Sequence, residues 1–225
     1  MGLYAIGDVH GCVRTLDALL DQLELTPDDE LVFVGDYVDR GPDSRATIER
    51  LLEIEAASEA GTGPKTIFLR GNHDQMMLNH AEGVGDFELW RTNGGLATLA
   101  SYEAAGDRAI PEPHIEFLRR TQLAYDTPHA VFVHAGLDIT KSVAENLVDP
   151  NPRIFLWTRS HLDADLSMWE KPVVTGHTPV PTPTNMPRLI NIDTGAVYVN
   201  RRPDLGRMTA VSLPDRTFTA VRCIG

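Results

Sequence analysis

The chain has 225 residues, 42% of them hydrophobic and 23% charged, which is typical of a globular protein with a substantial core. Its formal net charge of −12 argues against a nucleic-acid groove or an anionic membrane as the main partner. A phosphorylated substrate is compatible with this charge, because bound cations would neutralise carboxylates locally.

The two cysteines, Cys12 and Cys223, lie at opposite ends of the chain and form no CxxC pair. They do not make a disulfide framework, and they fit a reducing compartment. The first residues lack the basic and long apolar regions of a signal peptide, and no apolar run reaches the length of a membrane span. We therefore expect a cytoplasmic protein with no membrane partner.

Three strand–loop–helix units are predicted in the first third of the chain. Short apolar runs indicate buried strands at residues 3–6, 31–34 and 66–69. Helical spacing follows the first strand from Val13 to Leu23, and a second helix follows with Asp43 or Ser44 as its N-cap. This is the βαβ pattern of an α/β protein, in which functional groups gather at the carboxyl ends of strands.

Residues 75 to about 125 have mostly helical spacing, and we interpret them as a helical insert that selects the substrate. Strands return in the second half of the chain, at residues 131–133, 173–175 and 189–192. A hairpin around Pro214-Asp215 is predicted to close the chain, with strands at 209–213 and 218–221. We expect one domain over residues 1–225 that carries this insert.

Five predicted strands end in side chains that bind metal ions: Asp8 with His10, then Asp36, Asn72, His134 and His177. Nitrogen and oxygen donors without a thiolate suit manganese, iron or zinc better than calcium. The set is too large for one catalytic ion with an open position, so two ions that share Asp36 are the simplest arrangement. Two metals roughly 3.5–4 Å apart can hold a bridging hydroxide and promote an in-line phosphoryl displacement.

Each of these residues also has an ordinary structural explanation. Asp8 and Asp74 could be helix N-caps, Asn72 could be a turn residue, and His134 and His177 could be hydrogen-bonded core histidines. Their joint occurrence at strand ends favours a metal site over these separate explanations.

The segments GDVHG, GDYVDRG, RGNHD, HAG and GHTP occur in this order. Together they resemble the PPP-type metallophosphatase family, the superfamily of phage and bacterial serine/threonine protein phosphatases, over nearly the whole chain. The resemblance implies a four-layer αββα sandwich of two mixed sheets, with flanking helices and the metals at one rim. It also implies hydrolysis of a phosphorylated protein or peptide with two divalent metal ions, manganese first and iron or zinc as alternatives.

The resemblance assigns roles to individual residues. The first metal would take Asp8, His10 and Asp36, and the second would take Asp36, Asn72, His134 and His177. Three arginines would grip the substrate phosphate: Arg40, Arg70 and Arg159. His73 would protonate the leaving oxygen, and Asp74 would orient its ring. A nearby carboxylate is expected to raise the pKa of His73 and keep it protonated near neutrality.

Two other functions remain open. The first is a dinucleoside polyphosphate hydrolase on the same fold; relatives of that type often lack the second aspartate of GDxVDRG, so Asp39 favours the protein phosphatase. The second is a non-catalytic phosphoprotein-binding module. Asp39 itself is expected to brace Arg40 or its loop, and Asp193 to accept from the glycine turn that follows it. Arg201 and Arg202 are expected at a hairpin tip, with substrate contact as the alternative.

Overall fold

The computed structural model describes residues 2–224. It contains ten strands: β1 (Leu3–Ile6), β2 (Glu30–Phe33), β3 (Lys65–Phe68), β4 (Ala124–Asp126), β5 (Val131–Val133), β6 (Val173–Thr175), β7 (Thr184–Asn185), β8 (Leu189–Asn191), β9 (Arg207–Leu213) and β10 (Thr217–Arg222). They form two five-stranded sheets, in the orders β10-β9-β1-β2-β3 and β4-β5-β6-β8-β7. Each sheet contains three parallel strands, β1-β2-β3 or β5-β6-β8. The antiparallel strands β9 and β10 lie at one margin of the first sheet, and β4 and β7 lie at the two margins of the second.

Eight α-helices connect the strands: α1 (Val13–Leu23), α2 (Ser44–Glu59), α3 (Asn72–Ala81), α4 (Phe87–Trp90), α5 (Leu96–Ala104), α6 (Glu112–Arg120), α7 (Val143–Val148) and α8 (Pro152–Trp157). A π-helical turn, Arg91–Gly95, joins α4 to α5, and a 3₁₀ turn, Ala196–Tyr198, follows β8. The helices α3 to α6 occupy most of the predicted insert.

The two sheets pack face to face. Every second residue along their strands points between the sheets, and these side chains form the first apolar layer. Val32 and Leu69 from one sheet lie in the same buried cluster as Phe132 and Ile190 from the other. A second cluster lies between the outer face of the first sheet and helices that include α1 and α2, and a third covers the outer face of the second sheet. The four-layer fold predicted from the motifs is confirmed.

The predicted strands and the terminal hairpin are present with ends shifted by one or two residues. Two marginal strands, β4 and β7, were not predicted, because they are short and carry polar residues instead of an apolar run. Within residues 2–224, no helix combines the length and the apolar character needed to cross a bilayer.

Candidate active site

The six predicted ligands meet at one rim of the sandwich. Each follows the carboxyl end of a parallel strand, with β1, β2 and β3 contributing from one sheet and β5 and β6 from the other. All six are buried, with at most 6% of their surface exposed: Asp8, His10, Asp36, Asn72, His134 and His177. The two sheets therefore bring together side chains that lie up to 169 residues apart.

Asp36 lies at the centre of this cluster. Its carboxylate belongs to two compact groups of donor atoms, one with His10 and His73 and the other with His134 and His177, each within 4.8 Å. Asp36 Oδ2 is 3.5 Å from His10 Nε2, and Asp36 Oδ1 is 3.4 Å from His134 Nε2. A carboxylate that faces one donor group with each oxygen has the geometry of a bridging ligand.

Asn72 and Asp8 complete the two groups. The Oδ1 atom of Asn72 is 2.8 Å from His177 Nδ1 and 3.0 Å from His134 Nε2, so it faces the second group. Asp8 Oδ2 is 4.0 Å from His10 Nε2, and the Asp8 carboxylate accepts the backbone N–H of His177 at 3.1 Å. All predicted ligands therefore converge, with Asp8 on the side of His10 and Asn72 on the side of His134.

The histidine tautomers suit metal binding. His10 Nδ1 is 2.7 Å from the carbonyl oxygen of Val38, and His134 Nδ1 is 2.9 Å from that of Val34. A carbonyl can only accept, so each Nδ1 carries a proton, which leaves Nε2 of the neutral ring as the atom that would bind a metal. A backbone acceptor of this kind orients histidine ligands in metal sites. The donor set and its tautomers fit two divalent ions, one on each side of Asp36.

The backbone around the site is held in unusual conformations. Among residues 2–224, seven non-glycine residues have positive φ, and five of these lie here: His10, Asp36, Asp39, Arg40 and His177, with φ between 45° and 72°. Such conformations cost free energy and persist where the surrounding structure enforces them. Gly71 permits the close packing of this turn, since a Cβ atom there would collide with the Asp36 carboxylate.

The charges within the cluster shift the pKa values of its members. Burial alone would raise the pKa of Asp36, but His134 and His73 outweigh it and hold the pKa well below its usual range. Burial would lower the pKa of His134, but the Asp36 charge and hydrogen bond raise it to about 9. Burial, followed by the charge of His134, lowers the pKa of His177 to about 2. Cations that bind here would therefore compete with a proton on His134.

His73 is oriented by Asp39, which corrects the predicted role of Asp74. His73 Nδ1 is 2.7 Å from Asp39 Oδ2, while its Nε2 faces Asp36 Oδ2 at 4.0 Å. Asp74 instead accepts backbone N–H groups from Asp36, Tyr37 and Gly71 at 2.8–2.9 Å. Asp74 therefore supports the turn that presents Asp36, and it does not contact the His73 ring.

The predicted rise in the pKa of His73 is also wrong. Burial lowers the pKa of His73 to about 4, although the Asp36 charge acts in the opposite direction. Burial likewise raises the pKa of Asp39 to about 7. Both shifts have one cause, because an apolar surrounding disfavours the charged form of each group.

The helical insert holds Asp39 in place, a contact that the sequence did not predict. Trp90 Nε1 donates to both Asp39 oxygens at 2.9 and 3.0 Å, and the Thr98 hydroxyl donates to Oδ1 at 2.7 Å. The carbonyl of Gly94 accepts the backbone N–H of Arg40 at 3.3 Å. The insert therefore packs directly on the loop that carries Asp39 and Arg40.

The three predicted phosphate-binding arginines lie in different surroundings. Arg40 Nη1 is 2.6 Å from His10 Nε2, and its guanidinium lies 5.7 Å from the Tyr198 ring centroid. Arg159 is exposed, and it lies close enough to His177 for its charge to lower the pKa of that histidine. Arg40 therefore lies against the first donor group, and phosphate binding by Arg40 and Arg159 stays a prediction.

Arg70 points elsewhere, so its predicted role is wrong. Its Nη2 atom donates to the carbonyls of Leu118, Arg119 and Thr121 at 2.8–3.2 Å, at the C-terminal end of α6. Its Nε donates to Thr121 Oγ1 at 2.9 Å and its Nη1 to Gln75 at 3.0 Å. Every nitrogen of this guanidinium is engaged: Nε and Nη2 fix the end of α6, and Nη1 ties it to Gln75 on α3.

Asp193 and the loop after Val199 complete the description of the predicted residues. Asp193 Oδ1 accepts the N–H of Gly195 at 2.9 Å, as expected for a residue that supports the glycine turn. Arg202 pairs with Asp204 at 2.8 Å on the surface. Substrate contact by Arg201 and Arg202 stays a prediction.

A family model described as calcineurin-like phosphoesterase matches residues 1–202. The chain belongs to this family. It is therefore a metal-dependent phosphoesterase, and the resemblance to metallophosphatases is confirmed at the level of the calcineurin-like superfamily. The match does not distinguish a protein phosphatase from a hydrolase of nucleotides.

Curated relatives of both types are similar to this chain over most of its length. A symmetrical bis(5'-nucleosyl)-tetraphosphatase of Janthinobacterium sp. (strain Marseille) is 27% identical over 99% of this chain and 97% of its own. An asymmetrical bis(5'-nucleosyl)-tetraphosphatase PrpE of Geobacillus thermodenitrificans is 29% identical over 98% and 94%. Serine/threonine-protein phosphatase 2 of Salmonella typhimurium is 30% identical over 86% and 87%.

A solved structure that is provisionally assigned as a diadenosine tetraphosphatase has a similar fold. It matches 100% of this chain and 94% of its own, with a TM-score of 0.70 and 23% identity. At this level of identity, the likeness concerns the architecture alone.

Proposed function

We propose that this protein hydrolyses dinucleoside polyphosphates, with the diadenosine tetraphosphate class as substrate. The chemistry is carried by one observation, the Asp36 carboxylate that faces two groups of metal donors. Among the curated relatives, the symmetrical and asymmetrical tetraphosphatases match this chain almost from end to end, and they support the choice of substrate.

Asp39 does not favour a protein phosphatase over this function. Its carboxylate contacts His73, Trp90 and Thr98 inside the protein, so it acts on the catalytic histidine and not on the substrate. A residue that positions His73 serves either substrate class. A serine/threonine protein phosphatase remains the second candidate, supported by the relative from Salmonella typhimurium.

In the proposed reaction, two divalent cations held by the six ligands would neutralise phosphate charge and lower the pKa of the attacking water. Manganese is the first choice for these ions, and iron or zinc would also suit the donor set. Arg40 and Arg159 would hold non-reacting phosphate oxygens with their guanidinium groups. Asp39 would keep the His73 ring with its Nε2 atom directed at the leaving oxygen.

The bond changes balance with one water molecule. The water oxygen forms a bond to one phosphorus atom, and the anhydride bond from that phosphorus breaks with its electron pair on the leaving oxygen. The proton for that oxygen would come from the Asp39–His73 pair: Nε2 would release its proton as Nδ1 takes one from Asp39 across the 2.7 Å contact, and the proton lost by the water would pass to solvent, from which the pair is reprotonated. The products are two nucleoside diphosphates after symmetrical cleavage, or a mono- and a triphosphate after asymmetrical cleavage.

We also propose that the protein is cytoplasmic and has neither a nucleic-acid polymer nor a membrane as its partner. The acidic balance of the sequence supports this, because a polyanionic surface would repel a net charge of −12. A phosphorylated protein or peptide would be the partner if the second candidate function is correct.

The test is a panel of substrates with the manganese-loaded protein. We expect kcat/KM to be highest on diadenosine tetraphosphate, lower on p-nitrophenyl phosphate and lowest on a phosphoserine peptide, and anion-exchange chromatography would identify the nucleotides released. A phosphopeptide kcat/KM above that on diadenosine tetraphosphate would support the second candidate instead. Absence of turnover on all three substrates would contradict both.

A further inference from the structure

We propose that the cavity between the helical insert and α8 binds one nucleoside of the substrate, an inference that rests on the proposed function. The cavity has a volume of about 790 Å³, within the usual range for small-molecule sites. The residues that carry the argument line it: Asn79, His80, Phe87, Arg153 and Trp157.

The cavity adjoins the metal-binding residues. Trp157, at the end of α8, lines the cavity, and its ring centroid lies 6.3 Å from that of His177 with the two planes at 81°. A ligand in contact with Trp157 is therefore separated from the second donor group by a single ring. A nucleoside bound here could extend its 5'-phosphates towards Asp36.

The cavity offers aromatic surface for a base. The His80 ring lies 5.2 Å from the Phe87 ring and 4.6 Å from the Trp90 ring, at interplanar angles of 34° and 35°. Phe87 is still 42% exposed, and the neighbouring Val84 and Leu89 are 56% and 46% exposed. Clustered apolar side chains that remain open to solvent mark a binding site, and a stacked base would cover them.

A polar group of the cavity is available to the edge of a base. Asn79 Oδ1 accepts from Gln75 Nε2 at 2.8 Å, and Gln75 Oε1 is occupied by Arg70. Within residues 2–224, the Asn79 Nδ2 amide has no acceptor. A ring nitrogen or carbonyl oxygen of a base would supply one.

The charge near the cavity suits a polyphosphate. Arg153 lies one turn before Trp157 on α8, so both residues lie on the same face of the helix. Its side chain forms no ion pair with any residue in 2–224. Arg153 therefore places a cation at the cavity of an otherwise acidic protein, and the charge of Arg159 acts on His177 in the second donor group.

The first test compares nucleotide and non-nucleotide substrates. We would measure the ratio of kcat/KM on diadenosine tetraphosphate to kcat/KM on p-nitrophenyl phosphate for the wild type and for Phe87→Ala. Base stacking on an aromatic ring is expected to contribute roughly 5- to 150-fold, so the ratio should fall by about tenfold. Leu96→Ala is the matched control, because Leu96 is an exposed apolar residue of the same insert that does not line the cavity. An unchanged ratio in Phe87→Ala would overturn the inference. So would a fall in kcat/KM on a phosphoserine peptide as large as the fall in kcat/KM on diadenosine tetraphosphate.

The second test measures binding without turnover. In the presence of a chelator, ADP should quench tryptophan fluorescence in a saturable way, whereas pyrophosphate should not. Trp90 and Trp169 are buried, so the quench should come from Trp157 and should be lost in Trp157→Phe. Quenching by pyrophosphate equal to that by ADP, or no quenching by ADP, would overturn the inference. If the wild type does not cleave diadenosine tetraphosphate, the proposed function fails while this binding test still decides on the cavity.

Discussion

Replacing Asp39 with asparagine tests the pairing of Asp39 with His73 most directly. The variant keeps the shape of the side chain but loses one acceptor. Oδ1 can still accept from Thr98 at 2.7 Å and from Trp90 at 3.0 Å, while the new amide group would replace Oδ2, which lies 2.7 Å from His73 Nδ1 and 2.9 Å from Trp90 Nε1. The variant therefore loses a charge-assisted hydrogen bond to the histidine that is proposed to donate the proton.

The expected size of the effect follows from that single bond. A hydrogen bond to a charged group contributes about 1.5–3 kcal/mol. Because each 1.36 kcal/mol corresponds to a factor of ten, kcat should fall by roughly 10- to 150-fold where proton donation limits the rate. The loss should be larger on phenyl phosphate than on p-nitrophenyl phosphate, because nitrophenolate leaves without much help from an acid.

Asp74→Asn is the matched control. It also removes a buried carboxylate beside the site, but Asp74 accepts only backbone N–H groups and does not contact the His73 ring. We expect it to lower the free energy of unfolding, measured with urea, and to reduce both rates by the same factor. The reasoning would be refuted if Asp74→Asn showed the dependence on the leaving group and Asp39→Asn did not.

Three further predictions concern other parts of the chain. Arg70→Ala should lower the free energy of unfolding by about 1–3 kcal/mol in urea titrations and leave KM nearly unchanged. Arg40→Ala should instead raise KM. A higher KM in Arg70→Ala would restore the predicted role of Arg70 at the phosphate. Manganese at a hundredfold excess over its Kd should stabilise the wild type by about 2.7 kcal/mol for each ion bound, or roughly 5–10 °C in Tm per ion, and Asp36→Asn should lose most of this shift; an equal shift in both proteins would place the ions elsewhere. Cys12 and Cys223, whose sulfur atoms are 3.7 Å apart, should form a disulfide with hydrogen peroxide, so that the thiol titre falls from two to none; a titre of two after complete denaturation would contradict this.

The sequence predicted the metal ligands well because their placement depends on strand order and little else. Asp36 and His134 each follow an apolar run that ends in a tight turn, and the carboxyl ends of parallel strands meet at one edge. Asp8, Asn72 and His177 follow the same rule. Once the strands are located, the positions of these side chains are nearly determined.

The contacts of Asp74 and Arg70 could not be predicted in this way. Adjacent residues on a helix point about 100° apart, so Asp74 cannot reach the ring of His73 even though it is the next residue. Asp39 reaches that ring because its own φ of 72° and that of Arg40, 69°, turn the loop back on itself. Arg70 is similarly directed by the end of α6, whose position is set by tertiary packing.

Proximity across the chain was also invisible in the sequence. Cys12 and Cys223 are separated by 211 positions, and their spacing indicated no disulfide. They meet because β9 pairs with β1 and β10 with β9, which brings the end of the chain against the start of α1. Only the sheet order, and not the spacing of the cysteines, contains this information.

The helical insert connects the choice of substrate to the catalytic residues. Its Trp90 donates to Asp39 at 2.9 Å and packs against His80 at 4.6 Å, and His80 lines the cavity. A ligand that contacts His80 is therefore separated from the Asp39–His73 pair by one buried indole ring. The same helices that form the wall of the cavity also fix the carboxylate that orients His73. A change in the insert that suits a new substrate must preserve the hydrogen bond from Trp90 to Asp39, because that bond holds the carboxylate that orients His73. Through this bond, a segment remote from the strand-end motifs affects the reaction.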